Sequence, residues 1–215
     1  HRDLHSFPTR RSSDLGTFLL NSNNEYDILK QLDNSLYIVS PKINNALSLN
    51  VHICIGMNSE TVFPISLQLV RQENNKLLYI GADYIEAKNI DVRIQEKIKS
   101  VSRIIAKTIS TLGYKGVLGL DFLLDKDNKL YFVEINPRFQ GSTVLLNKAL
   151  VNYEKESIYQ LNEIAFAGQY INSSKYESII VNSSFVFYKQ YNTDDYYINL
   201  YNKMNNSPTY TVLSD

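Results

Sequence analysis

The sequence predicts an α+β fold, a mostly antiparallel sheet with helices packed against it. Three observations carry that prediction. Two apolar, β-prone segments, Gly119 to Leu124 and Lys129 to Asn136, flank Asp125-Lys126-Asp127-Asn128, which supplies the polar turn chemistry of a hairpin. Alternating or apolar strand-like runs recur between residues 47 and 83. From Asp91 to Leu112 the apolar residues instead return with helical spacing.

In chain order, residues 1–15 do not belong with the rest. They hold Arg2, Arg10 and Arg11 and two of the three His, without periodicity, and His5 to Leu15 matches one reading frame of a common sequencing-adapter oligonucleotide. That segment is expected to be non-native and is set aside. The native chain is then expected to begin upstream. Gly16-Thr17-Phe18 opens an apolar strand, Glu25 to Leu32 has a short helical pattern, and Leu36 to Val39 reads as a strand leaving through Ser40-Pro41-Lys42-Ile43. Leu47 to Ile55 alternates, Thr61 to Val70 makes another strand with Pro64 marking an edge or a bulge, and Lys76 to Ile80 is short and ends at Gly81-Ala82-Asp83.

Val92, Ile94, Ile98, Val101, Ile105, Ile109 and Leu112 lie near one face of the long helix, which Asp91 caps and Gly113 stops. Gly141-Ser142 stands at a further helix start, where Ser142 can serve as an ordinary cap. Ser157-x-x-Gln160 matches a capping box that opens a helix ending at Gly168. Beyond Gln169 the chain is rich in Asn, Ser and Tyr, with one strand at Ser184 to Tyr188. Its tyrosines (188, 191, 196, 197, 201) lack accompanying basic charge and read as packing residues, not a base-stacking platform.

Composition excludes several classes. The 22 basic and 22 acidic residues cancel and form no basic stripe, so no nucleic-acid partner is expected. No apolar run approaches the ~18 residues of a membrane span. The single Cys54 excludes an internal disulfide, fits a reducing, cytoplasmic compartment, and in VHICI reads as a buried, inert thiol. His52 reads as a strand residue facing solvent or a polar neighbour, with no second His or Cys placed to make a metal site.

The hairpin carries the chemistry. Side chains alternate faces, so Glu134 and Asn136 point one way and Ile135 the other. A loop of Asp125 to Asn128 sets Asp121 opposite Phe132, and a register slipped by a pair sets it opposite Glu134. Both registers leave Asp121 on the face of Glu134 and Asn136. Two carboxylates and an amide oxygen on one surface suit a hard cation such as Mg²⁺. Arg138 stands two residues on, able to hold an anion bidentately. A surface Asp, Glu and Asn would be the ordinary alternative. Against it, LYFVEI is apolar on both faces, with Phe132 and Leu123 expected to share the face of Glu134 in a partly enclosed site.

Asp121 in GLDF with Glu134, Asn136 and Arg138 in EINPRFQGS resembles the metal-binding end of the ATP-grasp fold, which carries an acidic residue on one strand and E-x-N-x-R on the next. NPRF followed by Gly-Ser is most similar to the branch of carbamoyl-phosphate synthases and small carboxylate–amine ligases. The resemblance covers roughly residues 16–168 and is strongest over 113–150. It divides the chain into the non-native segment 1–15, an incomplete ATP-grasp domain over 16–168, and a carboxy-terminal α+β extension over 169–215, itself expected to be cut short.

The resemblance implies an ATP- and Mg²⁺- (or Mn²⁺-) dependent ligase. A carboxylate takes the γ-phosphoryl group as an acyl phosphate, which an amine or similar nucleophile then captures. It implies Asp121, Glu134 and Asn136 as metal ligands and Arg138 as the catalytic cation. Gly16 and Thr17 would be the tail of a phosphate-covering flap, Ser40, Lys42 and Ile43 the adenine hinge, and Leu123, with Phe132, either a surface against the purine or simply core filling. A helix start at Gly141-Ser142 beside Arg138 would suit a phosphate or acyl phosphate. The family's phosphate-binding lysines and most of its flap are missing, so this chain alone is expected to be inactive. Small-molecule carboxylates and amines are the implied partners, and a homo-oligomer stays open. The alternative is a non-catalytic nucleotide-binding or regulatory module that kept the fold.

Overall fold

A computed structural model describes residues 30, 40–73 and 76–186. The predicted elements before Ser40, including Gly16 and Thr17, and the tyrosines from 188 onward lie outside the described residues.

Leu47–Gly56 (β1) is the strand from which the rest is laid out. It pairs antiparallel on one side with Ser59–Glu73 (β2) and on the other with Gly116–Leu124 (β4). Lys76–Asp83 (β3) extends the sheet beyond β2, Leu130–Asn136 (β5) extends it beyond β4, and Ser184–Val186 (β6) pairs with β3. The order is β5-β4-β1-β2-β3-β6, antiparallel throughout. This agrees with the predicted class, although β2 and β3 run further than the sequence pattern implied.

Pro64 sits inside β2, a strand paired on both sides. It is tolerated because the β1–β2 register shifts between Val51 and Ile53, so of the two expected alternatives, edge or bulge, the bulge holds and removes the need for a ladder N–H.

The sheet separates two cores. Leu49, Val51, Ile53 and Ile55 of β1 share one face with Leu118, Leu120 and Phe122 of β4. Val92–Thr111 (α1) covers that face through Ile98 and Ala106, with Ile94, Val101, Ile105 and Ile109 beside them. Asp91 caps α1 by accepting from the Arg93 N–H at 2.8 Å. Gly113 leaves it at φ +90°, a conformation that disfavours a Cβ. Val92 and Leu112 lie at the helix ends and are 68% and 82% exposed, so both are corrected out of the predicted packing face.

Thr143–Asn152 (α2) and Ile158–Phe166 (α3) pack on the opposite face, through Leu146, Leu150, Leu161 and Ala165 against Cys54, Phe63 and Val117. The capping box of α3 is complete: Ser157 Oγ accepts from Gln160 N–H at 3.1 Å, and Gln160 Oε1 accepts from Ser157 N–H at 2.8 Å. Burying such Leu and Ile side chains contributes about 1.5–3 kcal/mol each. These two helices cover one end of their face only. The other end carries polar residues.

Candidate active site

The alternate residues of β1 show how the face divides. Ser48, Asn50, His52 and Cys54 all point away from the α1 core. Cys54 Sγ–H donates to the Leu161 carbonyl at 3.5 Å beneath α3, and burial pushes its thiol up to about 12. His52 is fully buried at the edge of this core, its Nε2 2.8 Å from Thr143 Oγ1 at the start of α2. Burial holds its pKa down at about 4, so the ring is neutral at pH 7. The polar neighbour was expected. The solvent-facing alternative is corrected. Asn50 and Ser48 continue the line into a polar region.

There Asp121 pairs with Asn50 across β1–β4 and with Glu134 across β4–β5. The hairpin turn is built by Asp125, whose Oδ1 accepts from the N–H groups of Asp127 and Lys129, both at 2.9 Å, with Asn128 at φ +60°. Below the turn Leu124 pairs with Leu130 and Phe122 with Phe132. The register then shifts, leaving Val133 unpaired, and Asp121 meets Glu134. The bulge therefore selects the second of the two predicted registers at the carboxylates.

It also corrects the expected neighbourhood. Phe132 turns to the other face, against the Phe122 ring with centroids 5.8 Å apart, and is not beside Leu123 and Glu134. Because β5 is an edge strand, Glu134 is exposed and Phe132 is 47% exposed, so the carboxylate is not enclosed by apolar groups. Leu123 is half-buried and pairs with Tyr131.

Asn136 joins the two carboxylates. Its Nδ2 donates to Asp121 Oδ2 at 2.9 Å and to Glu134 Oε1 at 3.0 Å. Arg138 Nη2 donates to Asn136 Oδ1 and Nη1 to the Phe139 carbonyl, both at 3.3 Å. Phe139 is itself anchored by an edge contact with Tyr159 of α3, centroids 5.0 Å apart. Ser40 and Lys42 are exposed and Ile43 is half-buried. Lys42 Nζ donates to Gln72 Oε1 at 3.3 Å.

Three amides absent from the sequence reading complete the site. Asn50 Nδ2 donates to Asp121 Oδ1 at 2.6 Å and to Gln140 Oε1 at 2.8 Å. Gln68 Nε2 donates to Asp121 Oδ1 at 3.0 Å, and its Oε1 accepts from Ser48 Oγ at 2.6 Å. Ser142 does not cap α2. Its Oγ donates to Asn50 Oδ1 at 3.3 Å instead.

Burial raises the Asp121 pKa to about 6. The Asn50 and Gln68 amides oppose the rise and the Glu134 carboxylate adds to it. A mostly buried carboxylate facing a second one is the electrostatic situation that a cation relieves. The oxygens are hard donors, and half a turn of the Asn136 amide exchanges Nδ2 for Oδ1. The residues present fit a divalent metal.

A family model described as the ATP-grasp domain matches residues 16–142, more than half of the chain. The chain belongs to the ATP-grasp family. No curated protein sequence matches it. Among solved structures, the ATP-grasp chain resembles biotin carboxylase from Campylobacter jejuni bound to a β,γ-ATP ligand. The TM-score is 0.51 at 19% identity, covering 66% of this chain and 29% of that one. It also resembles N5-carboxyaminoimidazole synthetase from Staphylococcus aureus complexed with ADP, with a TM-score of 0.52 at 21% identity, covering 74% and 39%. An ADP complex of an N5-carboxyaminoimidazole ribonucleotide synthetase gives a TM-score of 0.55 at 17% identity, covering 72% and 38%. At these identities the likeness establishes the ATP-grasp fold. The chain spans well under half the length of each of these proteins.

Proposed function

We propose that this ATP-grasp chain provides the metal- and nucleotide-facing part of an ATP-dependent ligase that activates a carboxylate and joins it to an amine or similar nucleophile. The observation that supports the reading best is the facing of Asp121 and Glu134, bridged by Asn136, with Arg138 two residues beyond. Asp121, Glu134 and Asn136 would hold Mg²⁺ or Mn²⁺, which supplies charge neutralisation of the nucleotide phosphates when bound. Arg138 is held by the Phe139 carbonyl, a bond that the turn of the Asn136 amide leaves in place, and offers its guanidinium to the transferring phosphoryl group. Gly16, Thr17, Ser40, Lys42, Ile43 and Leu123 are the proposed nucleotide contacts.

The reaction balances as two displacements. A substrate carboxylate oxygen attacks the γ-phosphorus and the bond to the bridging oxygen breaks, giving ADP and an acyl phosphate. The amine then attacks the acyl carbon, loses a proton, and expels phosphate. Little covalent chemistry falls to the protein, whose task is placement and neutralisation of charge. ADP or an ATP ligand in the related structures supports the nucleotide class. The reducing environment suggested by the lone, buried Cys54 agrees with a cytoplasmic site of action. Among the described residues no helix is long and apolar enough to cross a membrane.

Thermal unfolding with Mg²⁺ and ADP tests the reading. Stabilisation that needs both, and that Glu134→Gln removes, is the expected result. An unchanged melting temperature at saturating ligand would transfer the chain to the non-catalytic alternative.

A further inference from the structure

Asn50 is 1% exposed, yet its carboxamide is used at both ends. The Nδ2 hydrogens go to Asp121 Oδ1 at 2.6 Å and Gln140 Oε1 at 2.8 Å, with the Leu120 carbonyl a longer contact at 3.3 Å. Oδ1 accepts from Ser142 Oγ at 3.3 Å. One side chain on β1 therefore ties a carboxylate of β4 to the turn that enters α2.

The turn has a matching seat. The Gln140 carboxamide lies over Gly119, where any Cβ would overlap it. The Gln140 N–H donates to Thr143 Oγ1 at 2.8 Å, and that hydroxyl meets His52 Nε2 at 2.8 Å. Asn50 and His52, neighbours on one face of β1, thus grip the same turn at two points. A leucine of similar volume would fill the Asn50 position as well by packing alone. It would leave the half-buried Gln140 Oε1 and the buried Ser142 Oγ without this partner, a costly outcome for the buried hydroxyl.

We infer that Asn50 is a positioning residue: it fixes the Asp121 carboxylate and the Gln140–Ser142 turn relative to one another, and so holds Asp121 in the orientation in which it would face a metal. The inference rests on the ligase reading above and adds to it a residue that touches neither metal nor nucleotide. Outer partners of this kind hold a ligand's orientation, and their loss typically lowers metal affinity about 10- to 100-fold.

The test compares wild type, Asn50→Leu, Gln140→Leu and Gly119→Ala as full chains with two readouts. Backbone hydrogen exchange at residues 141–143 without ligand reads the tie itself. Mn²⁺ binding in the presence of ADP, followed by electron paramagnetic resonance, reads the consequence. Asn50→Leu should speed exchange at the turn and weaken Mn²⁺ binding about tenfold or more. Gly119→Ala and Gln140→Leu leave Asn50 and both carboxylates in place, should speed exchange similarly, and keep the test decisive if Asn50→Leu does not fold. Unchanged exchange and unchanged Mn²⁺ affinity in the folded variants overturn the inference while the ligase reading stands. Faster exchange with no loss of Mn²⁺ affinity reduces Asn50 to a structural tie and also overturns it. A wild type that binds no Mn²⁺ with ADP overturns the ligase reading, and the inference falls with it.

Discussion

Asp121 pairs with Glu134 while its neighbour Phe122 pairs with Phe132, so the strand carrying Glu134 spends one residue more than the strand opposite. That residue, Val133, is the physical reason two carboxylates meet. Without the extra residue, continuing the ladder from the Phe122–Phe132 pair would set Asp121 against Val133. With it, the buried Asp121 faces the exposed Glu134, and the Asn136 amide spans both.

Glu134→Gln should lower ligase turnover by about a hundredfold or more, because it halves the carboxylate charge at the proposed metal site. The side chain is exposed, so unfolding free energy should move by no more than about 0.5 kcal/mol. Steady-state turnover beside denaturant unfolding checks both halves. Near-normal turnover would sink the assignment of Glu134.

Metal binding should weaken as pH falls through about 6, where Asp121 takes up a proton. Below that point the affinity for Mg²⁺ with ADP should drop by up to about tenfold per pH unit, and binding should release a proton. Calorimetry at pH 5.5 in two buffers of different ionisation enthalpy should show that release, and the same titration at pH 8 should not. Identical heats in both buffers at the lower pH would remove Asp121 from the metal site.

The legible parts of this molecule were those governed by local rules. Period-two alternation placed Glu134 and Asn136 on one face, and Asp121 with them in both registers the sequence offered; the register actually made at the turn needs the bulge at Val133 to bring Asp121 there. Pro64 announced its bulge because it lacks an N–H. Val133 gave no such warning: LYFVEI contains neither Gly nor Pro, and the shift is set by pairing with β4, beyond the reach of any local pattern. The amides were equally silent, since Asn50 and Gln140 stand 90 positions apart and Ser142 reaches Asn50 instead of its own helix. One signal was available. Ser48, Asn50 and His52 interrupt an otherwise apolar strand at every second position, and a polar line on a central strand has to meet polar partners.

Ser157→Ala should cost about 1 kcal/mol, because both reciprocal bonds of the capping box are made and the buried Ile158 and Leu161 follow directly on the cap. The expected signature in urea is a lower midpoint with an unchanged slope. Gln160→Ala, which removes one bond and leaves the cap, should cost less. An equal or larger loss for Gln160→Ala would show that the box is not the anchor of α3.

His52 and Asp121 should bend the pH dependence of stability in opposite directions, and a single substitution should expose each. His52 titrates near 6.5 when unfolded and near 4 when folded, so between those values the unfolded chain binds the extra proton and stability rises with pH. Asp121 titrates near 3.8 when unfolded and near 6 when folded, so in almost the same window the folded chain binds the extra proton and stability falls as pH rises. Either displacement corresponds to about 3 kcal/mol. In the metal-free wild type the two contributions should largely cancel between pH 4 and 6. Asp121→Asn should uncover the histidine and make the chain lose stability on acidification. His52→Gln should uncover the carboxylate and make it gain stability over the same range. Parallel shifts of wild type and both variants would mean that neither group carries its proton linkage, and the buried His52 and Asp121 would then be neutral to pH.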